Sequence, residues 1–188
     1  YRRYNLSKLE ENIENLINNN TNRSEIAVLY RTNAQSRVIE EALLKSNIPY
    51  KVVGSFYFYN RKEVKDLIAY LKLIYNSDDD ISLNRIINSP KRGIGAKTME
   101  QLSTKASILG TSIYNIIDSG KELKFTQLIE ELKKESESLS LTELVDLVLD
   151  KTGLKAELES EATLEAEARL ENLEEFKSIT KNFEERNL

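Results

Sequence analysis

The sequence lacks cysteine, histidine and tryptophan, and the first two absences each exclude several kinds of site. Without cysteine the chain has no disulfide framework, no thiolate nucleophile and no cysteine-ligated zinc. Without histidine it has no Ser-His-Asp triad, no HExxH zinc site and no imidazole base that works near neutral pH. No run of residues approaches the roughly 18 apolar residues of a membrane span, and no secretory signal pattern is present. The composition therefore predicts a cytoplasmic protein with no membrane partner.

The charge is nearly balanced over the whole chain but unevenly distributed along it. The 188 residues carry 27 Lys and Arg against 31 Asp and Glu, which gives a net charge of −4. Residues 1–98 contain 16 basic and 11 acidic side chains, whereas residues 99–188 contain 11 and 20. The first part therefore carries a net charge of +5 and the second a net charge of −9. Only the whole-chain value argues against a nucleic-acid partner.

Residues 1–54 are predicted to be part of an α/β domain. Two short apolar runs, residues 26–30 and 50–53, each follow a helical pattern and have the composition of buried strands. Two strands do not form a stable sheet alone, so this segment is expected to belong to a larger sheet. We therefore expect the chain, whose only methionine is Met99, to be a piece of a longer protein.

Residues 55–188 are predicted to be helical throughout. The aromatic residues 56–59 are expected to pack at the domain junction rather than to stack on bases. The fold class is therefore mainly α, preceded by a small α/β segment. The first helix of this part has an apolar stripe of Val64, Leu67, Ile68, Leu71, Ile74 and Tyr75, and later helices are expected at 96–109, 123–137, 141–151 and 161–185.

The most specific local pattern is SPKRGIGAKT at residues 89–98, between two predicted helices. Its glycines let a ligand approach the backbone, and the amides that open the next helix favour an anion. We interpret it as a helix-hairpin-helix that binds duplex phosphates without sequence preference, with mobile charge from its lysines and arginine. The alternative is a tight turn whose glycines serve only geometry. The candidate duplex-binding residues are Lys91, Arg92, Gly93, Ile94, Gly95, Lys97 and Thr98.

Neither a nucleotide motif nor a metal motif fits the chain. A P-loop is excluded because Ala96 separates Gly95 from Lys97, and the dinucleotide fingerprint is excluded because Thr98 replaces its third glycine. The acidic residues 78–80 lack the spacing of a calcium-binding EF-hand loop, so we expect them to form a turn and cap a short helix. No catalytic residue and no metal site is predicted.

A second candidate site follows the first predicted strand. Ligands of parallel α/β sheets bind beyond the carboxyl ends of the strands, where this chain places Arg31 and Asn33. These side chains suit phosphates or base edges. A strand-to-helix turn capped by Asn33 explains the same residues equally well.

Several blocks of the sequence resemble the UvrD/PcrA-type superfamily 1 DNA helicases. They are IAVLYRTNAQSR at 26–37, EEALLKSNIPYKVVG at 40–54, FYNRKEVKDLIAYL at 58–71, DDDISLNRIINSPKRGIGAKT at 78–98 and RLENLEEF at 169–176. The resemblance implies that residues 1–54 belong to the second RecA-like motor domain, 2A. Residues 55–188 would belong to the helical accessory domain 2B.

The resemblance also implies roles for particular residues. Arg31 and Asn33 would contact single-stranded DNA, and the hairpin would hold the duplex ahead of the fork. The parent protein would unwind DNA 3′ to 5′ with ATP and Mg bound by segments absent from this sequence, so this chain alone should hold no cofactor and hydrolyse no ATP. Its partners would be DNA, the rest of the helicase chain, and repair or replication proteins. The hinge of 2B would lie at Phe58, Tyr59, Asn60 and Arg61.

Two other hypotheses remain open. The chain could be a stand-alone, non-enzymatic helix-hairpin-helix module that binds DNA, although the two orphan strands argue against a complete fold. It could instead be a protein-interaction module that docks through the acidic helices from Leu123 onward. The last hypothesis predicts that changes in the hairpin leave binding unaffected.

Overall fold

The computed structural model describes residues 6–30, 33–52 and 58–187, with backbone alone at 6, 7, 33, 34, 37, 186 and 187. None of its described helices is both long and apolar enough to cross a membrane. The chain divides into two compact units, Tyr1–Ser55 and Phe56–Leu188. The prediction of a mainly helical chain is confirmed. The α-helices in the described ranges are α1 (Leu6–Asn18), α2 (Asn33–Lys45), α3 (Lys62–Tyr75), α4 (Asp80–Ile86), α5 (Ala96–Leu109), α6 (Gly120–Ser136), α7 (Leu141–Thr152), α8 (Leu154–Glu161) and α9 (Leu164–Asn187).

The first unit contains α1 and α2 but not the two strands that the sequence predicted. Residues 26–30 and 50–52 form no strand in the structure, and Val53 lies outside the described residues. Leu29 is 94 % exposed, although it was expected in a strand buried on both faces. The physical reason is that a strand exists only through hydrogen bonds to a neighbour, and these runs do not pair. The α/β part of the predicted fold class is therefore wrong for the described residues.

The second unit is built around α3, which packs against α4, α6, α7 and α9. Val64, Leu67 and Ile74 of the predicted stripe are buried, whereas Ile68 and Leu71 are only half-buried. Tyr70 and Leu73, which the stripe did not include, are fully buried. Tyr75, the last residue of that stripe, is 92 % exposed because the helix ends there. The burial of Glu63 and Asp66 on the same helix was not predicted.

The acidic residues 78–80 precede and cap α4, as the sequence predicted. Asp79 is the N-cap, with Oδ1 accepting from the Ser82 backbone N–H at 3.0 Å. This bond and the one from the Ser82 hydroxyl lower the pKa of Asp79. No cluster of three or more potential metal ligands occurs within the described ranges.

The helix predicted at 161–185 begins at Leu164 in the structure, and a short helix that was not predicted comes before it. The short helix α8 precedes the long helix α9, and between them Ala162 adopts a left-handed φ of 48°. Leu154 and Leu158, one turn apart on α8, are buried in the core of the second unit. The i, i+4 pair of leucines after Gly153 was the pattern that could have revealed α8.

Candidate nucleic-acid interface

The Gly-Ile-Gly sequence lies in the loop between α4 and α5. Gly93 has a φ of +73°, a left-handed conformation that glycine adopts without strain. Ile94 is 3 % exposed and belongs to the core of the second unit. The buried isoleucine therefore anchors the turn, while Gly93 and Gly95 on either side stay exposed.

Asn88, which the sequence did not single out, fixes the inner side of this loop. Its Oδ1 accepts hydrogen bonds from the backbone N–H groups of Arg92 at 2.8 Å and Ile94 at 3.2 Å. These two amides are therefore occupied within the protein. The amides that remain for a ligand are those of the glycines and of the first turn of α5.

The N-terminus of α5 carries no cap from a side chain. Its N-cap residue is Gly95, with φ −91° and ψ 165°, and its first turn contains no acidic residue. The first helical bond runs from the N–H of Met99 to the carbonyl of Gly95, so the amides before Met99 precede the helical hydrogen-bond ladder. A Cβ placed on Gly95 would meet no atom within 4 Å. The space beside Gly95 is therefore open, and the backbone amides of the first turn of α5 lie at the positive end of a helix dipole.

Three exposed lysines belong to this site, and one of them comes from a distant part of the sequence. Lys91 lies in the loop and Lys97 in the first turn of α5, as predicted. Lys121 comes from α6, and its Nζ would lie 2.6 Å from a Cβ placed on Gly93. In the part of the chain that the structure describes, none of the three forms a salt bridge. No local sequence pattern could have assigned Lys121 to the hairpin, because the contact depends on the packing of α6.

Arg92 does not supply the mobile charge that the sequence suggested. Its guanidinium turns into the protein and lies 5.2 Å from the centre of the Phe125 ring. The predicted site therefore contains one arginine fixed within the fold and two exposed lysines. The guanidinium donates to the backbone oxygens of Ile86 (3.2 Å), Ile87 (3.4 Å), Pro90 (3.1 Å) and Thr152 (3.1 Å) and to the hydroxyl of Tyr70 (2.8 Å).

The hydroxyl of Tyr70 links this arginine to the loop. It accepts from Arg92 and donates to the backbone oxygen of Ser89 at 2.7 Å. Burial raises the pKa of Tyr70 to about 12, against the opposing effect of Arg92. The phenol therefore keeps its proton at neutral pH and can serve as donor and acceptor at once.

The residues proposed as a hinge lie directly before α3. Phe58 packs against the core of the second unit, whereas Tyr59 is 55 % exposed. Arg61 is the N-cap residue of α3 and donates to Oδ1 of Asn172 on α9 at 2.6 Å. Its guanidinium also lies 5.3 Å from the centre of the Phe58 ring. Within the second unit, Arg61 therefore links the start of α3 to α9. Whether residues 58–61 form a hinge stays a prediction.

The predicted single-strand contacts fall largely outside the described part of the chain. Arg31 is not among the described residues, and Asn33 is described only by its backbone, as the first residue of α2. Their proposed role therefore stays a prediction.

Comparison with known proteins identifies the family. The UvrD-like helicase C-terminal domain family matches residues 2–188. The chain belongs to this family. It is 49 % identical over 174 residues to the ATP-dependent DNA helicase PcrA of Bacillus subtilis strain 168, an alignment that covers 87 % of this chain and 24 % of that protein. It is 50 % identical over 173 residues to PcrA of Staphylococcus epidermidis strain ATCC 12228 and 48 % identical over 172 residues to PcrA of Staphylococcus aureus strain NCTC 8325, each covering 86 % of this chain and 24 % of the relative.

Membership of the UvrD-like helicase C-terminal domain family confirms the resemblance that the sequence blocks indicated. The chain spans about a quarter of the length of the curated PcrA relatives it matches. The division into domains 2A and 2B, and the roles of individual residues, stay predictions.

Proposed function

We propose that the chain binds duplex DNA by its phosphates through the loop between α4 and α5. The observation that carries this proposal is the N-terminus of α5, which no side chain caps and whose N-cap residue, Gly95, has open space beside it. Helix N-termini of this kind bind phosphate because unpaired amides and the helix dipole both favour an anion. A phosphate would accept hydrogen bonds from the amides of Gly95, Ala96 and Lys97.

The lysines around the loop extend this contact along the DNA backbone. Lys91, Lys97 and Lys121 are exposed and carry flexible charge, so they can reach neighbouring phosphates without a fixed geometry. Amides and ammonium groups that meet phosphates carry no information about the bases. The proposed binding is therefore sequence-independent and sensitive to salt.

In its larger context, the chain is proposed to serve as the DNA-engaging part of an ATP-dependent 3′–5′ DNA helicase. The PcrA relatives are named as such helicases, and they are about four times as long as this chain. Under this proposal, residues 1–54 belong to motor domain 2A and residues 55–188 to accessory domain 2B. Arg31 and Asn33 contact the single strand. ATP and Mg are bound by other segments of the longer protein, which acts in the cytoplasm in DNA repair and replication.

The test is a salt titration of duplex binding by fluorescence anisotropy. Lys91, Lys97 and Lys121 are replaced together by glutamine in the 188-residue chain. Removal of each lysine that neutralises a phosphate should reduce the slope of log affinity against log salt by about 0.9 units, so the slope of the triple variant should fall by between two and three units. Arg92 is left in place because its guanidinium is held within the fold.

The matched control replaces three other exposed lysines, Lys133, Lys134 and Lys181, and so removes the same charge far from the hairpin in sequence. We expect the control to keep the slope of the unmodified chain. Equal slopes for the two triple variants would refute the hairpin as the binding site. A chain that binds no duplex even at low salt would refute the proposed function as a whole.

A further inference from the structure

Arg92 donates to carbonyls at the C-terminal ends of two helices, and one of them, that of Ile86, also accepts from the backbone N–H of Ser89 at 2.9 Å. The carbonyls of Ile86 and Ile87 lie at the C-terminus of α4, and that of Thr152 is the last of α7. All three accept from the Arg92 guanidinium. The last carbonyls of a helix have no partner within it and carry its partial negative charge, so a cation there is doubly favourable.

The same guanidinium also ties these helix ends to the loop and to α3. Nη1 donates to Pro90 O, within the loop, at 3.1 Å, and Nη2 donates to the Tyr70 hydroxyl at 2.8 Å. Tyr70 in turn donates to Ser89 O. The Arg92 guanidinium therefore connects α3, α4, α7 and the start of the hairpin through hydrogen bonds.

The donors of Arg92 are almost fully used by these bonds. Nη2 has two hydrogens and two acceptors, and Nη1 has two hydrogens for three acceptors. A bidentate contact to a phosphate would have to break several of them. The side chain is also only partly exposed, with its guanidinium over the Phe125 ring.

We propose that Arg92 is a positioning residue, which sets the shape of the hairpin and does not itself bind phosphate. Arg92 acts by fixing the loop that contains two groups of amides. These are the amides of Arg92 and Ile94, which donate to Asn88, and the amide of Gly95, the exposed N-cap residue of α5. Lysine cannot replace it, because an ammonium is a point donor and cannot reach several acceptors arranged around a plane. The inference rests on the proposed duplex binding for its effect on affinity, but not for its effect on the hairpin itself.

The decisive variant is Arg92→Lys, which keeps the charge and removes the planar donor group. If Arg92 positions the hairpin, this variant should bind duplex at least fivefold more weakly than the unmodified chain at low salt. A residue that serves only as a cation for phosphate would leave Arg92→Lys within twofold of the unmodified chain. The matched control is Arg169→Lys, the same change at an arginine that pairs with glutamates of α8 and α9, and it should leave affinity unchanged.

A second measurement needs no DNA. Hydrogen exchange followed by mass spectrometry should show faster exchange in peptides covering residues 88–95 of Arg92→Lys. Peptides from the middle of α6 should exchange as in the unmodified chain. Unchanged exchange across the hairpin would overturn the inference, whatever the DNA affinity. A failure of the unmodified chain to bind duplex would refute the proposed function alone and leave this measurement decisive.

Tyr70→Phe provides a milder variant in case Arg92→Lys does not fold. It removes a hydroxyl that accepts from Arg92 and donates to Ser89 O, without any change of charge. We expect a two- to threefold loss of duplex affinity and faster exchange confined to the hairpin. Wild-type affinity together with wild-type exchange in this variant would contradict the role assigned to the Arg92 network.

Discussion

Gly95→Asp should make the second unit more stable while it weakens DNA binding. The backbone of Gly95 is extended, so any residue can adopt it, and a Cβ there meets no atom within 4 Å. Asp is a better N-cap than Gly by a few tenths of a kcal/mol, and its charge at the helix N-terminus adds about 0.3–1 kcal/mol. The reduced freedom of the unfolded chain adds about 0.4–1 kcal/mol. The free energy of unfolding should therefore rise by about 1–2 kcal/mol, which corresponds to an increase of roughly 3–8 °C in Tm.

The effect on DNA has the opposite sign. The new carboxylate would accept hydrogen bonds from the amides of the first turn of α5 and would occupy the place proposed for a phosphate. Two like charges about 5 Å apart near a protein surface repel by about 1–3 kcal/mol, so duplex affinity should fall about fivefold or more. Gly95→Asn is the matched control, because it supplies the same cap without the charge. It should weaken binding less than Gly95→Asp does.

The assay combines thermal unfolding with fluorescence anisotropy on a short labelled duplex at low salt. The two hypotheses for the loop predict the same gain in Tm but differ in binding. If the glycines serve only the geometry of a turn, Gly95→Asp should be stabilised and should bind as well as the unmodified chain. That result would refute the proposal that the N-terminus of α5 holds a phosphate.

Three further outcomes are expected. Gly93→Ala should lower the free energy of unfolding by about 1 kcal/mol in urea titrations because of its positive φ, and removing the Lys121 side chain as well should not restore it, since the strain lies in the backbone. Asp79→Ala should cost about 1 kcal/mol at neutral pH. The pKa of Asp79 is lower in the folded than in the unfolded state, so its contribution to the free energy of unfolding is present above the unfolded pKa and is lost as the pH falls below about 4. The free energies of unfolding of the variant and the unmodified chain should therefore converge in acid. A difference that stays constant with pH would contradict the cap. The isolated chain should show no ATPase activity in a phosphate-release assay, and measurable turnover would refute its interpretation as part of a longer enzyme.

Local rules predicted the helices on either side of the Gly-Ile-Gly loop well. The structure gives α5 the predicted bounds, 96–109, because Gly95 precedes it and Gly110, with φ +65°, ends it in a left-handed conformation. Asp79 begins α4 as its N-cap, with a side-chain oxygen that accepts from the Ser82 N–H, as the acidic turn predicted. Such signals depend only on neighbouring residues, so a single sequence contains them.

Contacts between distant segments could not be predicted in this way. Arg92 has the sequence context of a mobile cation, and only the fold shows that an acceptor 60 residues away, the carbonyl of Thr152, lies within reach. The strand prediction failed for a related reason. A short apolar run such as residues 26–30 becomes a strand only when another segment pairs with it, and the run itself does not specify that partner.

Net charge is a poor guide to this site because electrostatic effects at a surface are local. Lys121 belongs to residues 99–188, which carry a net charge of −9, yet its ammonium group lies beside Gly93. Some other cations of that part are paired with carboxylates; Nζ of Lys151, for example, lies 2.5 Å from Glu131 and 2.6 Å from Glu135. At physiological ionic strength, charges in solvent are largely screened beyond about 8 Å. Under the proposed function, a phosphate at the hairpin would therefore respond to the charges within that distance, and neither the net charge of the whole chain nor that of either half would decide whether DNA binds.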